Sequence, residues 1–155
     1  MDSSTLSALI SGVGPTEDEI LAVAEVPDVG RWVIQFAKRD VEIAPLESSG
    51  RLILSTVIVA PQASRQPAVN RAALAFNSLW DDVGTMRMGL AAPDGSLLLI
   101  DDLSIEGCVP ADIERCALRL TQKASDWETI VNAPAETSGG DTAARLETDL
   151  MMFRA

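Results

Sequence analysis

The chain has 155 residues and a formal net charge of −11, with 47% hydrophobic residues and only 4% aromatic ones. It contains neither histidine nor tyrosine, which removes the commonest general base, the commonest metal ligand and every Ser-His or Cys-His arrangement. The surplus of carboxylates opposes binding to nucleic-acid phosphates and to an anionic membrane surface.

This length suits one domain with a real core, built here from Leu, Ile, Val and Ala. Cys108 and Cys116 are eight residues apart, the second inside an expected helix. That spacing does not suit a disulfide, and two thiolates without an imidazole do not make a zinc site. Two reduced thiols in a cytosolic protein are expected. No Lys or Arg precedes Arg31, so no secretory leader is read, and no apolar run approaches a membrane span. The expected location is cytoplasmic, without membrane insertion, nucleic acid, metal or cofactor.

In chain order, residues 3–12 predict a short amphipathic helix, capped by Ser3 or Ser4 and ended by Gly12 and Gly14-Pro15. Its Leu6, Leu9 and Ile10 share one face; they either rest on the protein's own sheet or frame a groove for another chain. Thr16 with Glu19 has the form of a capping box, which predicts a second short helix from Glu17 to about Ala24. The period then changes to two. RWVIQFAK places Trp32, Ile34 and Phe36 on one face and Val33, Gln35 and Ala37 on the other; Val41 and Ile43 continue in a second strand. Ser48-Ser49-Gly50 turns the chain into RLILSTVIVA, a long strand ended by Pro61. Three linked strands predict an antiparallel meander.

A helix is predicted across residues 62–84, with Pro67 near its start. Val69, Ala73, Phe76, Trp80 and Val83 form one stripe and Ala72, Ala75 and Leu79 a second, with Leu74 off both. So wide an apolar arc suits a helix central to the monomer or covered by a second chain. Met86, Met88 and Leu90 then alternate toward a Pro93-Asp94-Gly95 turn, Leu97 to Ile100 return, and Asp101 and Asp102 are expected to leave the sheet. Pro110 opens a long helix whose core face is Ile113, Ala117, Leu120, Ala124, Trp127 and Val131. Residues 132–140 read as a linker, and Asp141 as the cap of a last helix carrying Leu146, Leu150, Met151, Met152 and Phe153. Asp101, Asp102 and Glu106 suggest either a solvated strand end or a weak oxygen site for a divalent cation. The tryptophans read as core.

LSALISGVG, RWVIQF, RLILSTVIV, NRAALAFNSLWDDVG with its Asn77, MRMGLAAPDGSLLLIDDL and IERCALRLTQKASDWETIV occur here in an order that resembles the class I type III secretion chaperones, the Tir chaperone (CesT-like) family. The likeness covers roughly residues 4–132. It implies an α+β fold in which an antiparallel sheet of about five strands is flanked by helices, in the order α-(α)-β-β-β-α-β-β-α. Residues 1–132 would form that domain and 133–155 a linker and amphipathic helix.

The resemblance also implies a homodimer, not an enzyme, that binds the N-terminal region of one or more secreted effectors, with a secretion ATPase or another apparatus component as a further partner. On the apolar faces and this pattern, Leu6, Leu9, Ile10, Val33, Gln35 and Ile53 are the candidate effector contacts. Ala72, Leu74, Ala75, Leu79, Met86 and Met88 are the candidate dimer contacts. Two other readings stand beside this one: an acidic adaptor that binds a folded partner, and a carboxylate enzyme using Asp101 or Asp102.

Overall fold

Alternation between buried and half-wet side chains governs the strands. In the computed structural model, which describes residues 3–15, 19–26, 29–79, 83–91 and 93–133, Arg31–Phe36 forms a strand in which Trp32, Ile34 and Phe36 are buried and their neighbours are not. Arg51–Ile58 repeats the pattern with Leu52, Leu54, Thr56 and Ile58. A pleated strand sends successive side chains to opposite faces, so one face of the sheet is sealed and the other left partly open.

Helix α1 is Ser3–Ser11, followed by strands β1 (Ile20–Val26), β2 (Arg31–Phe36), β3 (Asp40–Leu46) and β4 (Arg51–Ile58), helix α2 (Gln66–Phe76), strands β5 (Arg87–Leu90) and β6 (Leu97–Ser104), and helix α3 (Pro110–Asn132). The strands make one antiparallel six-stranded sheet, ordered β1-β2-β3-β4-β6-β5. The α+β class and the meander therefore stand as expected.

Three expectations are corrected. Residues 20–26 are not a helix but β1, paired with β2 from Ile20↔Phe36 to Val26↔Arg31, and this supplies the sixth strand. Short runs of apolar residues fit either period, and here the neighbouring β2 decides; the Pro27-Asp28-Val29-Gly30 stretch, with Gly30 at φ 62°, was the hairpin signal. Helix α2 spans Gln66–Phe76 instead of 62–84. At its C-terminal end Ser78 Oγ donates to the Ala75 carbonyl at 2.6 Å and competes with the helical ladder. Asp101 and Asp102 do not leave the sheet; both lie within β6. The predicted last helix on 141–153, Thr16 of the capping box and Trp80 lie outside the described residues.

The chain divides into two units: residues up to Thr56 together with Ile100–Lys123, and Val57–Leu99 together with the chain from Ala124. In the first, Ile10, Ile34, Val41, Ile43, Leu52, Leu54, Ile113 and Leu120 are fully buried. Helix α3 starts as predicted at Pro110, and Asp112 Oδ2 accepts from the Val109 N–H at 3.1 Å, a reciprocal cap of its first turn. That bond, then Arg115, holds the Asp112 carboxyl below its ordinary range.

In the second unit Phe76 meets Trp127 edge to face, with ring centroids 5.6 Å apart. Both rings are fully buried. The predicted α3 stripe of Ala124, Trp127 and Val131 is buried here as well. Gly95 closes the turn before β6 at φ 87°. Asp94 accepts from the N–H and hydroxyl of Ser96, which lowers its carboxyl pKa. Leu90, read as alternating in step with Met86 and Met88, is 65% exposed, whereas both methionines, candidate dimer contacts, are buried.

Removing the largest of these side chains leaves a cavity that a close-packed interior does not refill. Trp127→Ala should cost about 3–5 kcal/mol, measured by urea unfolding monitored by circular dichroism.

Candidate functional site

In the first unit the unsealed face of the sheet carries Val33 and Gln35 of β2, Glu42 and Ala44 of β3, and Ile53 and Ser55 of β4. Register aligns Val33 with Glu42 and Glu42 with Ser55 across three strands, and Ala44 with Ile53 beside them. Val33, Ala44 and Ile53 are half-buried, and Gln35 is exposed. Aliphatic spots thus alternate with hydrogen-bonding groups over neighbouring strands. Arg31 pairs with Glu42, and Arg51 with Asp102 of β6. The guanidinium of Arg51 donates to a carboxylate that is almost entirely covered. The carboxylate at the centre of this surface, Glu42, is paired with Arg31. The face presents aliphatic surface beside the amide of Gln35, the carboxylate of Glu42 and the hydroxyl of Ser55.

Strand β1 bounds the sheet and extends this surface. It is seven residues long, with Leu21, Ala24 and Glu25 exposed and Ala22, Val23 and Val26 half-buried. Sequence reasoning missed Leu21 as a candidate contact because the capping-box pattern at Thr16 and Glu19 placed it in a helix from Glu17 to about Ala24. Ala44 was missed because only the Val41 and Ile43 face of its strand was read for apolar residues.

The other candidate contacts are placed differently. Leu6 and Ile10 are buried and Leu9 half-buried in the first unit, where α1 packs on β1. In the second unit Ala72 is buried, Ala75 exposed, Leu79 half-buried and Leu74 72% exposed. The structure thus brings Val33, Gln35 and Ile53 to one face and closes Leu6 and Ile10 inside the chain. Leu74 and Ala75 are left as the solvent side of α2.

Asp101 is the most constrained acid of the first unit. It has no exposed surface. Its Oδ2 accepts from Arg119 and from the Cys116 thiol at 3.3 Å, and its Oδ1 from the Asp102 N–H at 2.9 Å. Held by these donors away from solvent, the Asp101 carboxylate is not presented to a substrate. It instead ties β6 to α3, and it is not the solvated strand end expected from sequence.

Beside it a pocket of about 270 Å3 is lined by Leu103, Cys108, Asp112, Arg115, Cys116 and Arg119. Both thiols are free. Burial, then the neighbouring Asp101, pushes the Cys116 thiol up to about 12, and burial, then Asp112, raises Cys108. Neither is an activated nucleophile. Among the described residues no group of three or more Cys, Asp or Glu side chains is arranged to hold a metal ion, and no helix is long and apolar enough to cross a membrane.

The Tir chaperone protein (CesT) family profile matches residues 27–128, and the chain belongs to that family. Its fold is similar to that of a chain in the crystal structure of the ExsC–ExsE complex, at TM-score 0.69 and 18% identity, over 87% of this chain and 100% of that one. It is also similar to a chain in the HopA1–SchA chaperone–effector complex, at TM-score 0.60 and 16% identity, over 83% of this chain and 98% of that one. At such identities the likeness is one of fold. No curated protein matches the chain significantly.

Because raised thiol pKa values mean less thiolate at a given pH, native protein at about pH 8 should react slowly with Ellman's reagent at Cys108 and not measurably at Cys116. Both thiols should titrate at once in denaturant. Arg119→Leu, which leaves the buried Asp101 carboxylate short of its cation, should cost about 2–4 kcal/mol in urea unfolding, the half-exposed guanidinium keeping it toward the lower end.

Proposed function

We propose that this protein is a type III secretion chaperone of the cytoplasm. It acts as a homodimer that holds the N-terminal region of one or more effectors extended and export-competent and hands it to the secretion apparatus, where the secretion ATPase is the natural receiving partner. Family membership supports the chaperone class. The observation that carries the client-binding reading is the unroofed face of the sheet in the first unit, where Val33, Ala44 and Ile53 remain half in solvent among backbone-like polar groups. The HopA1–SchA structure, whose fold is shared, is a chaperone–effector complex.

The physics of such binding needs no catalytic group. An extended client segment would bury its own apolar side chains against Val33 and Ile53 on the open face, with the half-buried Leu9 of α1 as a separate contact, and would satisfy its backbone where it meets a sheet edge. Ordering that segment costs about 2–5 kcal/mol, which a long wrapped contact offsets. Leu6 and Ile10 would support α1 from beneath while Gln35 supplies a hydrogen-bonding group. The net charge of −11 favours clients with basic segments and keeps the chaperone itself dispersed.

For the dimer, the solvent side of α2 is the natural contact. Leu74 and Ala75 stand outward, Leu79 is half-covered, and the small Ala75 lets a second helix approach closely. Buried Ala72, Met86 and Met88 would back that surface from inside.

Leu74→Asp should give a monomer in sedimentation equilibrium; a variant that stays dimeric removes this interface. Val33→Asp and Ile53→Asp should each weaken binding of a co-purified effector fragment by about 10–100-fold, the loss expected for one buried aliphatic contact, and leave the dimer intact. Protection of that fragment from protease separates an extended client from a folded partner: a fragment equally stable alone would favour the adaptor reading.

A further inference from the structure

The sheet ends at β1 on one side and at β5 on the other, and β5 carries an unusual neighbour. The carboxamide of Asn77, the residue just past α2, donates from Nδ2 to the Met88 carbonyl at 2.9 Å and accepts at Oδ1 from the Met88 N–H at 2.6 Å. A flat group with donor and acceptor side by side thus exchanges both bonds with one strand residue. A directly opposed residue of an antiparallel neighbour does the same in a hydrogen-bonded pair. Asn and Gln present that donor–acceptor pair at any pH, whereas Asp and Glu do so only when protonated.

Alternation shows which side of β5 this is. Ala91 N–H donates to the Ser96 carbonyl at 2.8 Å, within the hairpin. Residues 87, 89 and 91 therefore address β6, and Met88 and Leu90 address the outside. Asn77 takes the outward groups of Met88, the middle of a four-residue strand. Among the described residues, what is left on that side is Leu90, an exposed leucine whose N–H points outward by the same alternation. A sheet margin with exposed apolar side chains and unpaired peptide groups is a template for another strand, and proteins blunt such margins with short strands or covering groups.

We propose that Asn77 is a strand surrogate that closes the β5 margin, so that neither an extended client nor the sheet of a second copy can add a strand there. Extended chains are then confined to surfaces away from β5, and copies associating along α2 do so through side chains, not through a shared sheet. The second consequence deepens the dimer reading; the closure itself is tested on the protein alone, so its failure would leave client binding standing.

The test is amide hydrogen exchange with sedimentation velocity over a range of concentrations. In Asn77→Ala the Met88 amide should exchange at least about tenfold faster, with the amides of β6 unchanged. Species larger than those of the unsubstituted protein should appear as concentration rises. Adding Leu90→Pro, which deletes the remaining outward N–H, should abolish those species. Should Asn77→Ala fail to fold by circular dichroism, Asn77→Asp, which keeps the shape and the acceptor but lacks the donor, carries the same comparison. Unchanged Met88 exchange, no larger species, or larger species that survive Leu90→Pro would each overturn the proposal.

Discussion

A sheet whose strands alternate strictly has two faces with different fates, and everything of interest here follows from covering one and not the other. On the covered face of the first unit, Trp32, Ile34, Val41, Ile43, Leu52 and Leu54 are sealed, and α1 packs on β1. Asp101 of β6 reaches the same side and is tied to Cys116 and Arg119 of α3. A buried carboxylate is tolerated only with its donors in place, so this tie also specifies how α3 lies on β6. On the other face nothing comparable is spent: side chains stay half in water, steadied by Arg31–Glu42 and Arg51–Asp102. A rigid, half-apolar surface of this kind suits a partner that brings its own backbone and has no fold to recognise.

The margins of the sheet obey the same logic of exposure. At β5 a single carboxamide takes the groups that a neighbouring strand would take. At β1 the strand is longer, with exposed Leu21 and Ala24 and no basic residue or proline. On the client-binding reading proposed above, the protein must show apolar surface without collecting its own copies. Fewer unguarded margins and a strongly negative charge both serve that end.

The two cysteines and two aspartates illustrate how environment overrules residue type. In sequence they form a cluster that invites a metal or a catalytic role. In the structure Asp101 is saturated by donors, Asp102 faces Arg51, and the thiols are held protonated by burial and by neighbouring carboxylates. The groups that bear chemistry elsewhere here serve packing.

Local pattern alone determined strands β2 and β4, the two faces of β2, the Asp94-Gly95 turn, and the full buried stripe of α3 from Ile113 to Val131. Each rests on a repeat of two or near 3.6, or on a residue whose backbone preference is intrinsic. The absence of histidine likewise narrowed the function before any fold was known. Tertiary structure decided what such patterns leave open. Residues 20–26 became a strand because β2 was there to pair with them, and α2 stopped at Phe76. Ile10 was buried while Leu74 was not, although both are aliphatic residues on short helices. Asn77 was visible in sequence only as one polar residue near a helix end, since its bond to Met88 joins residues that have no periodic relation. Periodicity records which side of an element is apolar; what that side meets is set by pairing and packing between segments distant along the chain.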